Sequence, residues 1–272
     1  MRELERDLPA TEEAAPSAPA APSFLAIVGS GRAGGAIAAA AGAAGLEVTV
    51  LGRDDRLALP GARSAAVLLC VPDAVIASAC DRLAGDLTPE VAVGHVSGAT
   101  TLDALAGAAA RGCSTFSLHP LQTIPDPDTA LAGSPCAVAG SGPRGTAVAR
   151  GLAAALGMRA FEVPEEGRAA YHAAAAMASN FLVALEESAA GLLAAAGVER
   201  PREVLASLVL RTAANWADAG DAALTGPIAR GDEETVTRHL DALADRAPEL
   251  RPLYEALAER TRAIAEGLEA ER

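Results

Sequence analysis

The sequence contains no lysine, so all 22 basic residues among its 272 positions are arginine. That absence excludes Schiff-base chemistry, an amine nucleophile and the phosphate-binding lysine of a P-loop. Aromatic residues are also scarce, at 3% of the chain with a single tryptophan, and no apolar run approaches the length of a membrane span. Cys70, Cys80, Cys113 and Cys136 show no CxxC spacing and no histidine at a zinc-ligand interval. They are expected to be reduced, mostly buried small residues of a cytoplasmic protein, with no metal site and no membrane partner. The 35 acidic residues give a net charge of −13, which argues against a nucleic-acid partner, since that would call for a basic face. Paired carboxylates of the glycosidase kind and a GxSxG elbow are not visible either.

What is abundant is alanine, at 69 positions, within a chain that is 51% apolar. Residues 1–22 mix acids, alanine and proline without a basic or apolar leader, and are expected to be a disordered lead rather than a signal peptide. From Phe24 the pattern becomes short apolar runs alternating with alanine-rich stretches, the mark of parallel strands with crossover helices. Strands are expected at 24–28, 47–51, 66–71, 91–95, 113–117, 135–139 and 159–163, with helices near 32–44, 73–84, 101–110 and 143–156. Pro72 followed by Asp73 reads as a helix start, and Thr100 with Asp103 as a capping arrangement. After Pro164 every long segment reads as helix: 165–196, 201–219, 232–245 and 249–270. The expected plan is an α/β Rossmann domain over 23–163, with a mostly parallel, doubly wound sheet, followed by an all-α domain over 164–272.

The first strand runs directly into Gly29-Ser30-Gly31-Arg32-Ala33-Gly34 and then into a helix. This is GxGxxG in the context it requires: Gly29 for the tight turn, Gly31 for close approach of a pyrophosphate, and Gly34 for helix-strand packing. The helix N-terminus adds free N–H groups for phosphate oxygens. The second strand ends in Gly52-Arg53. Gly52 stands where an NAD-preferring site carries an acid, and Arg53 is suited to a 2′-phosphate, so NADP is expected over NAD. The alternative is that Arg53 is a solvated loop arginine and that Asp54 or Asp55 takes the ribose. Arg32 has the same double reading, as a phosphate contact or as a solvent-facing first-turn residue.

Further segments strengthen a resemblance: Leu68-Leu69-Cys70-Val71-Pro72-Asp73, His95-Val96-Ser97-Gly98, Ser117-Leu118-His119-Pro120-Leu121, Tyr171-His172 through Ser179-Asn180, and Gly226 to Asp232. Together with the glycine turn they resemble the bacterial Rossmann-like proteins that carry a C-terminal helical domain of unknown function. The resemblance covers nearly all of 24–265. More distant similarity extends to 6-phosphogluconate dehydrogenase, ketopantoate reductase, pyrroline-carboxylate reductase and prephenate dehydrogenase. It implies an NADP-linked oxidoreductase acting on a small molecule, a helical domain that forms substrate cleft and homodimer interface, and, as leading substrate, ketopantoate. It also implies cofactor contacts from Val71 and Pro72, and from Ser97 close to the nicotinamide ring, with a polar turn leading to Thr100 as the equal alternative for Ser97-Gly98. One departure matters: ketopantoate reductases use a lysine on the first long helix of the second domain, and this chain has none.

Reduction of a carbonyl or imine needs a proton donor at the reacting heteroatom and a cation for a substrate carboxylate. Sites in open α/β sheets lie beyond the carboxyl ends of the strands, where His95 and His119 fall, with His172 opening the long helix. His119, His172 and Asn180 are the catalytic candidates, each with a packing role as the alternative. His172 and Asn180 lie eight residues apart, on nearly one helix face and separated by about 12 Å of axis. Arg230 is suited to grip a carboxylate, and Asp232 either joins it or caps the helix that follows. His239 reads as an ordinary surface or interhelix residue. Two other functions stay open: a prephenate-type dehydrogenase, which would favour NAD, and a dinucleotide-binding sensor or scaffold without turnover.

Overall fold

The computed structural model of the chain describes residues 21–53, 55–59 and 65–270. The expected disordered lead therefore lies almost wholly outside the described residues, as does Asp54. The chain divides into two compact units, one ending at Ala175 and the other beginning at Ala176.

The first unit is built on a seven-stranded sheet: β1 (Phe24–Val28), β2 (Glu47–Leu51), β3 (Ala65–Leu69), β4 (Val91–His95), β5 (Ser114–Pro120), β6 (Pro135–Gly140) and β7 (Arg159–Glu162). The order is β2-β1-β3-β4-β5-β6-β7. Every pairing is parallel except β5 with β6. Residues alternate between two buried clusters, as the pleat requires. Phe24, Ala26 and Val28 join Val67, Leu69 and Leu105 in one cluster. Leu25 and Ile27 join Leu68, Phe116 and Leu152 in the other. Continuous apolar strands, buried on both faces, are what a parallel sheet demands.

The crossover helices follow the same logic. Helix α1 (Arg32–Ala43) buries Ala36, Ile37 and Ala41, and α2 (Ile76–Leu83) buries Ile76, Ala79, Cys80 and Leu83, one stripe at helical spacing. Helix α3 (Ala106–Ala109) is a single turn, and α4 (Pro143–Ala155) starts with proline in its first turn. The helices expected at 73–84 and 101–110 each begin as a 3-10 segment, Asp73–Val75 and Leu102–Leu105. The four cysteines are free.

Two local expectations are corrected. Strand β5 runs three residues past Ser117, because β6 returns antiparallel beside it and pairs Ala137 with His119 and Cys136 with Pro120. His119 therefore stands on a strand and not in the loop after one. The Thr100–Asp103 cap does not form: the Thr100 N–H donates instead to Ser97 Oγ at 2.9 Å, and Thr101 opens the 3-10 turn without a side-chain cap.

Strands cease at Glu162, close to the expected boundary, yet the compact units part within helix α5 (Arg168–Ala176). The single helix expected over 165–196 is in fact a 3-10 turn at Glu165–Gly167, α5, a π-helical turn at Met177–Phe181, and α6 (Leu182–Ala195). The second unit continues with α7 (Pro201–Ala219), α8 (Glu233–Arg246) and α9 (Arg251–Ala270), with α6 packing on both α7 and α8. Among the described residues no helix is long and apolar enough to cross a membrane.

Candidate active site at the carboxyl edge of the sheet

Chain order places a crevice between the carboxyl ends of β1 and β3, because the chain leaves β1 toward β2 on one side and β3 toward β4 on the other. Such switch points are where open α/β sheets bind ligands. The glycine turn lies at this point. Gly29 has φ +110°, and a Cβ there would run into the Cys70 carbonyl. A Cβ at Gly34 would run into the Gly29 carbonyl. The protein's own packing thus explains both glycines. It does not explain Gly31, where a Cβ would meet nothing within 4 Å. The bare backbone faces open space, at the start of a helix with no side-chain cap and no acid in its first turn. Uncapped N–H groups and the dipole there suit a phosphate. Ser30 and Arg32 are exposed beside it, and Val71, just after β3, borders the turn, with its Cγ1 3.3 Å from where a Cβ at Gly29 would stand.

The loop after β2 opens onto a cavity of about 440 Å³ whose lining includes Gly52, Arg53, Asp55, Arg56, Arg82 and Asp86. Gly52 donates its N–H to Asp55 Oδ2 at 2.7 Å, so that carboxylate braces its own loop. Arg53 and Arg56 form no ion pair with any described residue. Arg53 was read from sequence as a phosphate contact; Arg56 and Arg82 were not, and only the fold brings Arg82 of α2 to the β2 loop.

Further along the same edge lies a cluster of histidines. Nδ1 of His119 is 2.6 Å from the Tyr171 hydroxyl. The rings of His119 and His172 lie edge to face with centroids 6.1 Å apart, and Phe161 of β7 packs against Tyr171. Both histidines crowd Gly98: a Cβ there would sit 2.9 Å from His119 Nε2 and 2.8 Å from His172 Cδ2. Burial, then His172 and Arg168, push the His119 ring from its ordinary 6.5 to about 4, against a smaller pull from Asp73. Burial likewise raises the Tyr171 phenol to about 12. At neutral pH the pair is therefore an uncharged imidazole beside an uncharged phenol.

His95 is fully buried, with Nδ1 accepting from the Ser97 N–H and Nε2 left without a partner. Burial, then Arg168, lower it to about 4. Ser97 has its single hydroxyl proton directed to Asp73 Oδ2 at 2.8 Å or Thr100 Oγ1 at 2.9 Å, while its oxygen accepts from the N–H groups of Ala99 and Thr100. That hydroxyl organises the loop after β4 and has no proton to spare for a cofactor.

In the second unit, Asn180 is exposed within the π turn, a feature frequent at functional positions. Arg230 ends a 3-10 turn and is exposed, with no ion pair to a described residue. One oxygen of Asp232 accepts from the Thr235 N–H at 3.1 Å, so Asp232 caps α8. His239 pairs with Tyr254 on the surface of that unit. Among the described residues no cluster of His, Cys, Asp or Glu could hold a metal ion.

A family model described as a Rossmann-like domain matches residues 50–120, and one described as a domain of unknown function, DUF2520, matches residues 134–261. The DUF2520 match begins in β6, so it takes in the last strands of the sheet as well as the helical unit. Among solved structures, a candidate NADP oxidoreductase from Bacteroides fragilis is similar with a TM-score of 0.74 at 22% identity, over 88% of this chain and 98% of that one. A Thermotoga maritima protein matches with 0.68 at 22% identity, over 90% and 99%. A reductive aminase from Aspergillus terreus, in complex with NADPH and ethyl-5-oxohexanoate, matches with 0.63 at 18% identity, over 92% and 99%. These likenesses are of fold. No match was found among curated proteins.

Proposed function

We propose that this protein is an NADPH-dependent oxidoreductase that reduces the carbonyl of a small 2-oxo acid, with ketopantoate as the first substrate to test. The observation that carries the reading is the uncharged His119–Tyr171 pair at the same sheet edge as the open glycine turn. Strands β1, β3, β4 and β5 are adjacent and parallel. At roughly 4.8 Å per strand, His119 stands about 14 Å along the edge from Gly29, within reach of the nicotinamide half of a dinucleotide whose pyrophosphate rests on the turn. The exposed Gly31 backbone would take the pyrophosphate, and Arg53 with Arg56 the 2′-phosphate. The A. terreus reductive aminase was solved with NADPH and a Plasmodium falciparum pyrroline carboxylate reductase with NADP, which favours the phosphorylated cofactor.

When bound, NADPH supplies a hydride for the substrate carbonyl carbon. The chain's own residues then have to meet the charge that develops on oxygen. In the Nε2–H tautomer, His119 accepts the Tyr171 O–H at Nδ1 and presents Nε2–H, which has no hydrogen-bond partner among the described residues. As the carbonyl oxygen becomes an alkoxide it takes the Nε2 proton while Nδ1 takes the phenolic proton; a solvent proton then returns to Nε2 as Nδ1 hands its proton back to Tyr171, which restores the starting tautomer. A neutral relay of this kind supplies the proton that a lysine would otherwise give. Arg230 is the proposed anion-binding group of the second unit. That unit also exposes Leu210 (71%), Trp216 (67%) and Leu208 (63%) on α7, and we read it as the homodimer interface.

The test is NADPH oxidation with ketopantoate and a panel of 2-oxo acids. Turnover that collapses in His119→Ala while NADPH still binds supports the assignment; turnover indifferent to His119 removes it.

A further inference from the structure

Arg168 is 2% exposed, the largest fully buried side chain among the described residues. Burying a guanidinium is costly unless its fork is satisfied, so its partners indicate what it does. Nη1 donates to Ser117 Oγ of β5 at 2.9 Å, and Nη2 donates to the Ser97 carbonyl in the loop after β4 at 2.8 Å. Among the described residues its ion-pair partner is Glu165, with Oε1 3.5 Å from Nη1. That oxygen and Arg168 Nε both lack a hydrogen bond, while Glu165 Oε2 accepts from the Leu102 N–H. The counter-charge is thus close but not clasped, and the fork is spent on the two segments that frame the histidines.

Those segments are decisive ones. Ser117 is two residues before His119 on the same strand, and Ser97 adjoins Gly98, whose bare backbone leaves room for the His119 and His172 rings. On α5, Tyr171 and His172 stand three and four residues after Arg168, one turn along the same face. We infer that Arg168 is the positioning residue of this site, the group that fastens α5 to β4 and β5 so that Tyr171 meets His119. This rests on the reading of those two side chains as the proton-transfer pair.

Its second effect is electrostatic. The groups facing His119 are Asp73 after β3, His95 of β4, and Arg168, Tyr171 and His172 of α5. Among them Arg168 is a buried permanent cation, and it opposes protonation of His119 and His95 alike. Removing its charge while preserving its bulk should therefore let His119 titrate closer to its ordinary range, whereas Arg168→Lys should keep the charge and lose the fork.

The experiment is an NMR titration of the histidine ring signals in the full chain, for the wild type, Arg168→Gln and Arg168→Lys, alongside steady-state kinetics. In the wild type, His119 is expected to stay neutral to near pH 4. In Arg168→Gln its midpoint should rise, by about half a pH unit, since burial and His172 still hold it down. In Arg168→Lys the midpoint should stay low while kcat falls at least about tenfold with little change in KM for NADPH. A His119 midpoint unchanged between wild type and a folded Arg168→Gln overturns the inference. Should that variant not fold, the other two proteins decide: a wild-type His119 titrating near 6.5, or wild-type turnover in Arg168→Lys, overturns it as well. The titration needs no substrate, so it separates this inference from the proposed activity, which fails independently if His119→Ala retains full turnover.

Discussion

The Tyr171 hydroxyl meets Nδ1 of His119 at 2.6 Å across 52 residues of chain. One partner comes from the sheet edge, the other from the first turns of the helix that follows the last strand. In the proposed reaction this contact is the uncharged proton path of a lysine-free chain.

Removing either end of that path should separate chemistry from binding. His119→Ala is expected to lower kcat by about 10² to 10⁴, the usual worth of a general acid, and Tyr171→Phe by a smaller factor. NADPH affinity should stay within about threefold in both, since neither touches the glycine turn. Steady-state kinetics beside a binding titration checks the split.

Gly98→Ala is the steric counterpart. The added methyl would sit 2.8 to 2.9 Å from both histidine rings, so one must move. We expect a drop in turnover resembling that of His119→Ala, in a protein that still folds and binds cofactor. Wild-type rates in this variant would mean that the rings need not sit where they do.

His95 and His119 both have folded-state values of about 4 against an ordinary 6.5. The unfolded chain takes up protons at higher pH than the folded one, so the unfolded state binds more protons between those values and stability rises with pH there. The contribution is fully present above about 6.5 and is lost as pH falls toward 4. Thermal unfolding should therefore show a midpoint flat from pH 7 to 8 and falling steeply between 6 and 4. Replacing His95 with Asn should flatten that fall.

Leu208, Leu210 and Trp216 lie within nine residues of α7 and are each more than 60% exposed. Leu210→Glu with Trp216→Glu should shift a homodimer toward monomer in light scattering at micromolar concentration. A wild-type protein that is already monomeric contradicts the dimer.

Much of the framework was legible because it rests on local rules. Strands β1, β2 and β4 fall at their expected residues, as short apolar runs closed by glycine, proline or a polar turn. The glycine turn was readable for the same reason. What was hidden depends on distant partners. The apolar run reads as ending at Ser117, which leaves His119 in a loop, whereas an antiparallel neighbour extends the strand through it. Tyr171 bears no local mark of its role, and nothing singles out Arg168 among 22 arginines until it is seen to be buried. Arg82 reaches the β2 loop only through the packing of α2. Ser97-Gly98 reads equally as a cofactor contact or as a polar turn, and the bonds of the Ser97 hydroxyl to Asp73 and to the Thr100 N–H are those of the turn.

The cofactor assignment predicts a selective loss. Arg53→Ala should weaken NADPH about tenfold to a hundredfold, the worth of one or two charge-assisted bonds, and leave NADH nearly unchanged. Equal losses for both dinucleotides would detach Arg53 from the 2′-phosphate.

The central claim is that the glycine turn and the arginine-lined cavity hold a phosphorylated dinucleotide, and a fluorescence titration of the wild-type protein with NADPH and NADH in parallel tests it most directly. The account predicts saturable binding of NADPH at least about tenfold tighter than NADH, equivalent to about 1.4 kcal/mol. Failure of both to bind would contradict it, leaving the open backbone at Gly31 without a ligand and the His119–Tyr171 pair without a hydride to follow.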